Sequence, residues 1–138
     1  MQDFRKKPIL LVEDNIDDVH LLKTALHRVN VAHPLQVVSN AEAAQDYLLG
    51  TGPYEDRDLY PFPLLILLDL YMPGVTGFDL LAWIRKQPDL LKILVIVLSI
   101  SSERSDIVKA FELGANGYLI KTESFEKVAE MLRLALGR

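Results

Sequence analysis

Three continuous apolar runs separated by segments of helical periodicity predict a doubly wound α/β domain built on a parallel sheet. ILLV at 9–12, LLILL at 64–68 and ILVIVL at 93–98 are apolar throughout rather than alternating, as strands covered on both faces should be. PLQVV at 34–38 and GYLI at 117–120 bring the strands to five, and a helical pattern follows each. Right-handed crossovers then carry the C-terminal ends of the strands to one edge. At 138 residues and 50% apolar composition the chain furnishes one core, so a single domain is expected, with its core over about residues 8–136 and no output domain after it.

The first helix is signalled by Val19, Leu22, Leu26 and Val29 at three- and four-residue steps after Asn15. Asp17 and Asp18 there suit the positive end of a helix dipole. After the second strand, Ser39 or Asn40 can cap a helix running to about Leu49, with Ser39 and Glu42 at capping-box spacing. GTGPYEDRDLYPFP at 50–63 holds five glycines and prolines and reads as a long irregular connection. Phe78, Leu81 and Ile84 mark the next helix, with Thr76 as its cap and Pro88 beyond its end. Ile107, Ala110, Phe111 and Gly114 mark a fourth helix, and Phe125, Val128, Ala129 and Leu132 a fifth.

Composition narrows the function classes. Fifteen lysines and arginines against nineteen aspartates and glutamates leave a formal charge of -4, which argues against non-specific nucleic-acid binding through the surface as a whole. Without cysteine there is no disulfide, thiolate nucleophile or sulfur metal ligand, which suits a reducing compartment. MQDFRKKP lacks the apolar core of a signal peptide, and the apolar runs are shorter than a membrane span. A soluble cytoplasmic protein with no direct contact to nucleic acid or membrane is expected. His20 and His27 fall within the first helix and His33 precedes Pro34, so packing or surface roles are expected for them rather than metal ligation.

Chemistry concentrates at the expected strand ends, where open α/β sheets place their reactive crevice. Glu13 and Asp14 end the first strand, Asp69 the third, Ser99 the fourth and Lys121 the fifth. Three carboxylates at one edge repel unless a cation compensates, and with oxygen ligands alone that cation is a hard divalent ion, best matched by magnesium. Lys121 and the Ser99 hydroxyl add the charge and hydrogen bonding that the equatorial oxygens of a transferring phosphoryl group require, which makes Asp69 the candidate nucleophile.

VEDN at 12–15, LLDLYMPGVTG at 67–77, LS at 98–99 and ELGANGYLIK at 112–121 together resemble the receiver domain of two-component response regulators over nearly the whole chain. The resemblance implies a flavodoxin-like receiver fold with strand order 2-1-3-4-5. It implies Asp69 as acceptor of a phosphoryl group from the phosphohistidine of a sensor histidine kinase. It also implies magnesium held by Glu13, Asp14, Asp69 and the Tyr71 backbone carbonyl, with Ser99 and Lys121 on the phosphate and Tyr118 as the aromatic switch. Such a protein assists its own phosphorylation and dephosphorylation and is not a conventional turnover enzyme. The long connection before the third strand is similar to that of small stand-alone regulators associated with cyanobacterial phytochromes. Those resemble dimers through the helix 4–strand 5–helix 5 face, where Met131 and Leu134 add apolar area beyond one buried stripe.

Three positions depart from the usual receiver pattern. Ile100 and Tyr71 are bulkier than usual, so both are expected to modulate access to the acceptor and to slow loss of phosphate. Thr122 stands where proline is usual after the lysine, and a trans Lys121–Thr122 bond is expected because a non-proline cis bond costs about 2.5–4 kcal/mol. Other functions fit less well. A flavin site would want backbone donors and hydroxyls where EDN offers two negative charges, and an aspartyl phosphatase would want an acid where Tyr71 stands. A phosphorylation-independent adaptor or dimerisation protein of the same fold is the alternative function.

Overall fold

A computed structural model describes residues 7–72, 74–121 and 124–136. The strands are β1 (Ile9–Val12), β2 (Leu35–Val38), β3 (Leu65–Leu68), β4 (Leu94–Ser99) and β5 (Gly117–Ile120). The helices between them are α1 (Ile16–Arg28), α2 (Ala41–Leu49), α3 (Gly77–Lys86), α4 (Arg104–Glu112) and α5 (Phe125–Ala135). All four strand pairings are parallel, in the order β2-β1-β3-β4-β5. This is the doubly wound parallel sheet predicted from the apolar runs, in the flavodoxin-like strand order that the resemblance implies.

The two faces of the sheet divide the apolar runs between them. Leu10, Val12, Ile66, Leu68, Val95 and Val97 point to the side covered by α2 and α3, where Tyr47, Leu80, Leu81 and Ile84 close the core. Ile9, Leu11, Leu65, Leu67, Ile96 and Leu98 point to the side covered by α1 and α5, against Leu22, Leu26, Val128 and Leu132. Each leucine fully buried in this way contributes about 1.5–3 kcal/mol relative to its exposed state. β1 and β3 are buried along their whole length, while the edge strand β5 is half-buried at every residue.

Local signals act largely as expected. The Asn15 side chain accepts from the Asp18 amide to start α1, Thr76 caps α3 through the Asp79 amide, and Ser124 caps α5 through Lys127. At α2 the cap is Asn40, accepting from the Ala43 amide at 2.8 Å, so the Ser39–Glu42 spacing does not mark the helix start. Pro88 opens a 3-10 turn over Pro88–Leu90. The fourth helix buries only Ala110 fully, and Phe111 is exposed, so its apolar pattern overstates its contribution to the core. His33 is buried with its ring Nδ1 3.0 Å from the Lys7 carbonyl, whereas His20 and His27 are exposed on α1.

The 50–63 connection is more structured than its composition implies. A 3-10 turn at Gly52–Tyr54 brings Tyr54 against Tyr47 and Tyr60, with ring centroids 5.1 and 5.0 Å away. The Tyr47 hydroxyl donates to the Pro61 carbonyl at 2.8 Å. Arg57 donates to the Leu48 and Tyr60 carbonyls, both at 3.0 Å, and lies over the Tyr47 ring.

Candidate functional site

Sheet register assembles the site. Val12 pairs with Leu68, so the residues that follow them, Glu13 and Asp69, leave adjacent strands side by side. Leu68 pairs with Val97 and Ser99 with Ile120, which places Ser99 at the end of β4 and Lys121 immediately after the end of β5. Backbone bonds hold these exits: Asp69 donates to Val12 at 3.1 Å, Glu13 to Val38 at 2.9 Å and Lys121 to Ser99 at 2.7 Å. Gly77, at the start of α3, is the steric condition for the loop that begins at Asp69. A Cβ there would lie 2.3 Å from the Asp69 carbonyl oxygen and 2.6 Å from the Leu70 Cα.

Glu13, Asp14 and Asp69 converge so that one oxygen from each lies within 4.8 Å of the others. The Lys121 ammonium sits among carboxylates: it pairs closely with Glu13 Oε1, lies 3.0 Å from Asp18 Oδ2 and 3.4 Å from Asp69 Oδ2. Glu13, Asp69 and Lys121 are all nearly buried here. Burial, reinforced by the nearby Asp69 charge, pushes the Glu13 carboxyl up to about 7 against the opposing pull of Lys121. Burial works to lower the Lys121 ammonium, but its Glu13, Asp18 and Asp69 partners outweigh that and raise it. A hard divalent cation fits this set, because all three donors are carboxylate oxygens and the space among them already favours positive charge.

Of the residues singled out from sequence, Glu13, Asp14, Asp69, Tyr71, Ile100 and Lys121 line one open pocket together with Asn15 and Asp18. Tyr71 and Ile100 are both exposed at its rim. Ser99 is fully buried, and its Oγ accepts the Ser101 amide at 3.1 Å rather than a group of the acidic cluster. Tyr118 stands outside the pocket, its hydroxyl donating to the Ser101 carbonyl at 2.8 Å. Met131 shares a separate groove with Tyr118, Leu119, Ile120, Lys127 and Val128, and Leu134 is exposed one helical turn on. Thr122 lies outside the described residues, so its peptide bond is not placed.

Sequence reasoning treated Asp18 only as a helix-start residue and did not single out Asp106. Asp18 falls in the first turn of α1, directly after the loop that carries Glu13 and Asp14, and that closeness is the available signal. Asp106 accepts the Tyr71 hydroxyl across 35 residues of sequence, and no local pattern announces that contact.

A parallel five-stranded sheet with an acidic triad and a lysine at its C-terminal edge defines a class, and the comparisons agree with it. The chain belongs to the response regulator receiver domain family, whose model matches residues 9–133. Members of this family promote phosphorylation and dephosphorylation of themselves rather than turnover of a separate substrate. Among its relatives is the response regulator Rcp1 of Synechocystis sp. (strain PCC 6803), 37% identical over 127 residues, covering 92% of this chain and 84% of that one. The crystal structure of the Mn(2+)-bound form of Rcp1 superposes with a TM-score of 0.79 at 37% identity, covering 92% and 89% of the two chains. That of the phosphorylated cyanobacterial phytochrome response regulator RcpA gives 0.81 at 35% identity, covering 94% and 91%. The Glu13, Asp14 and Asp69 triad matches the divalent-cation site of receiver domains, and the chain is related to cyanobacterial phytochrome-associated regulators. Among the described residues no helix is long and apolar enough to cross a membrane.

Proposed function

We propose that the protein is a cytoplasmic phosphorelay regulator that accepts a phosphoryl group on Asp69 from the phosphohistidine of a sensor histidine kinase. The observation that carries this is the convergence of Asp69 with Glu13, Asp14 and Lys121 at one sheet edge. In the transfer, a carboxylate oxygen of Asp69 forms the new bond to phosphorus while the bond from phosphorus to the histidine nitrogen breaks and its electron pair stays on the imidazole. Magnesium is the proposed cation, held by the Glu13, Asp14 and Asp69 carboxylates and the Tyr71 backbone carbonyl. When bound it supplies charge that offsets the anionic phosphoryl oxygens. Lys121, already 3.4 Å from Asp69, provides a second positive charge.

Ser99 is proposed to turn its hydroxyl from the Ser101 amide to the phosphoryl group, with Tyr118 repositioning as Ser101 moves. The affected surface is that of α4, β5 and α5, where Met131 and Leu134 are proposed to seat a second copy or a partner. Relatives named for phytochrome signalling support a phytochrome-type kinase as the donor. The first test is incubation with magnesium and a small acyl-phosphate donor, followed by intact mass. One phosphoryl adduct is expected in the wild type, and none in Asp69→Ala or with a chelator. An adduct that survives Asp69→Ala would overturn the assignment.

A further inference from the structure

At the same edge of the sheet, but outside the acidic cluster, one carboxylate oxygen joins two loops. Asp106 stands in the first turn of α4, and its Oδ2 accepts both the Tyr71 hydroxyl and the Ser101 Oγ, the latter at 2.6 Å. Tyr71 follows β3 two residues after Asp69, and its backbone amide donates to Asp69 Oδ1 at 3.2 Å. Ser101 follows β4 two residues after Ser99. Its amide donates to Ser99 Oγ at 3.1 Å, its hydroxyl accepts the Glu103 amide at 3.2 Å, and its carbonyl accepts the Tyr118 hydroxyl at 2.8 Å. A continuous chain of contacts therefore runs from Asp69 through Tyr71, Asp106 and Ser101 to both Ser99 and Tyr118.

The Tyr71 ring lines the mouth of the acceptor pocket while half its surface faces solvent. Packing alone holds such a ring weakly: its aromatic neighbour Phe78 meets it edge-on with centroids 6.5 Å apart. The bond to Asp106 fixes the far end of the phenol. Hydrogen bonds from Ser101 and Tyr71 hold the Asp106 carboxyl below its ordinary range, and the bond to Asp106 pushes the Tyr71 phenol up to about 12. Both bonds are therefore charge-assisted at neutral pH, and the phenol keeps its proton.

We propose that Asp106 is a positioning residue for the phosphoryl chemistry at Asp69, clamping the Tyr71 side chain and the β4–α4 loop into one unit that covers the pocket mouth. The clamp rests on the phosphoacceptor role proposed for Asp69. Water must reach the phosphorus to hydrolyse an aspartyl phosphate, and a ring pinned at the mouth restricts its approach. Because the oxygen that pins the ring also holds Ser101, movement of Ser99 and Ser101 toward a phosphoryl group pulls on the cover. Shielding of the phosphate and repositioning of Tyr118 are thereby coupled through Asp106.

The test uses the full chain as wild type, Asp106→Ala, Asp106→Asn, Tyr71→Phe and the Asp106→Ala/Tyr71→Phe double variant. Amide hydrogen exchange over residues 100–106 is read in the unphosphorylated protein, and the half-life of the Asp69 adduct is read after donor removal. Asp106→Ala and Tyr71→Phe are each expected to speed loop exchange and to shorten the half-life by about threefold or more. Asp106→Asn, which keeps an acceptor oxygen without the charge, is expected to fall between Asp106→Ala and wild type. The double variant is expected to hydrolyse no faster than the faster single one, because both remove the same bond. Additive effects, or unchanged exchange in both single variants, would overturn the clamp. If wild type takes up no phosphoryl group, the phosphoacceptor reading fails by that result, while loop exchange still decides whether Asp106 fastens the loop.

Discussion

Lys121 shows how much one side chain can carry at this site. It is the only cation in contact with Glu13, Asp18 and Asp69 among the described residues, and it is nearly buried. Removing one member of such a group leaves the rest uncompensated, at a cost of about 3–5 kcal/mol for a buried pair. Lys121→Met is therefore expected to lower stability without metal and to recover part of it with a divalent cation, measured as urea midpoints in both conditions. Rim residues should act on lifetime instead. Ile100→Ala combined with Tyr71→Asn is expected to shorten the adduct half-life, and an unchanged half-life would remove the shielding role. Asp69, Glu13, Asp14 and Lys121 were legible in sequence because each ends a recognisable strand. Asp18 and Asp106 were not assigned site roles because their partners, Lys121 and Tyr71, are distant in sequence and meet them only in the folded protein.

At the scale of elements, the loop that begins at Asp69 depends on how closely α3 approaches it. Gly77 leaves no room for a methyl group against the Asp69 carbonyl and Leu70 backbone, so Gly77→Ala is expected to displace the loop. Lower thermal stability together with slower adduct formation would be the outcome, and retention of both would show that α3 can shift freely. The first turn of α4 carries a pH dependence of known sign. Asp106 is held below its ordinary value of 3.8, so its contribution is complete above that pH and is lost as pH falls through the folded-state value. Wild type and Asp106→Asn are thus expected to differ in stability at neutral pH and to converge on acidification. The elements themselves were largely readable, since central strands buried on both faces leave uninterrupted apolar runs. Phe111 marks α4 by its spacing yet is exposed, because a helical pattern reports apolar spacing and not the depth of burial. The order within 50–63 was hidden because tyrosine rings packing on one another, with Arg57 over one of them, leave no periodic trace.

For the molecule as a whole, the proposed output face can be tested through self-association. Met131→Asp with Leu134→Asp is expected to abolish any concentration-dependent increase in sedimentation coefficient while leaving adduct formation intact. Loss of adduct formation in that variant would place α5 within the acceptor chemistry rather than on the output surface. The sheet register has a consequence for folding as well as for signalling. Glu13, Asp69 and Lys121 come together only when β1, β3 and β5 are all in place, with residues 13 and 121 at opposite ends of the sequence. The carboxylate triad itself comes from the ends of β1 and β3, so a chain in which those two strands are unpaired cannot form the cation site. Cation binding is therefore tied by mass action to the pairing of the two central strands, and the acidic edge serves as a built-in gauge of the population in which they are joined.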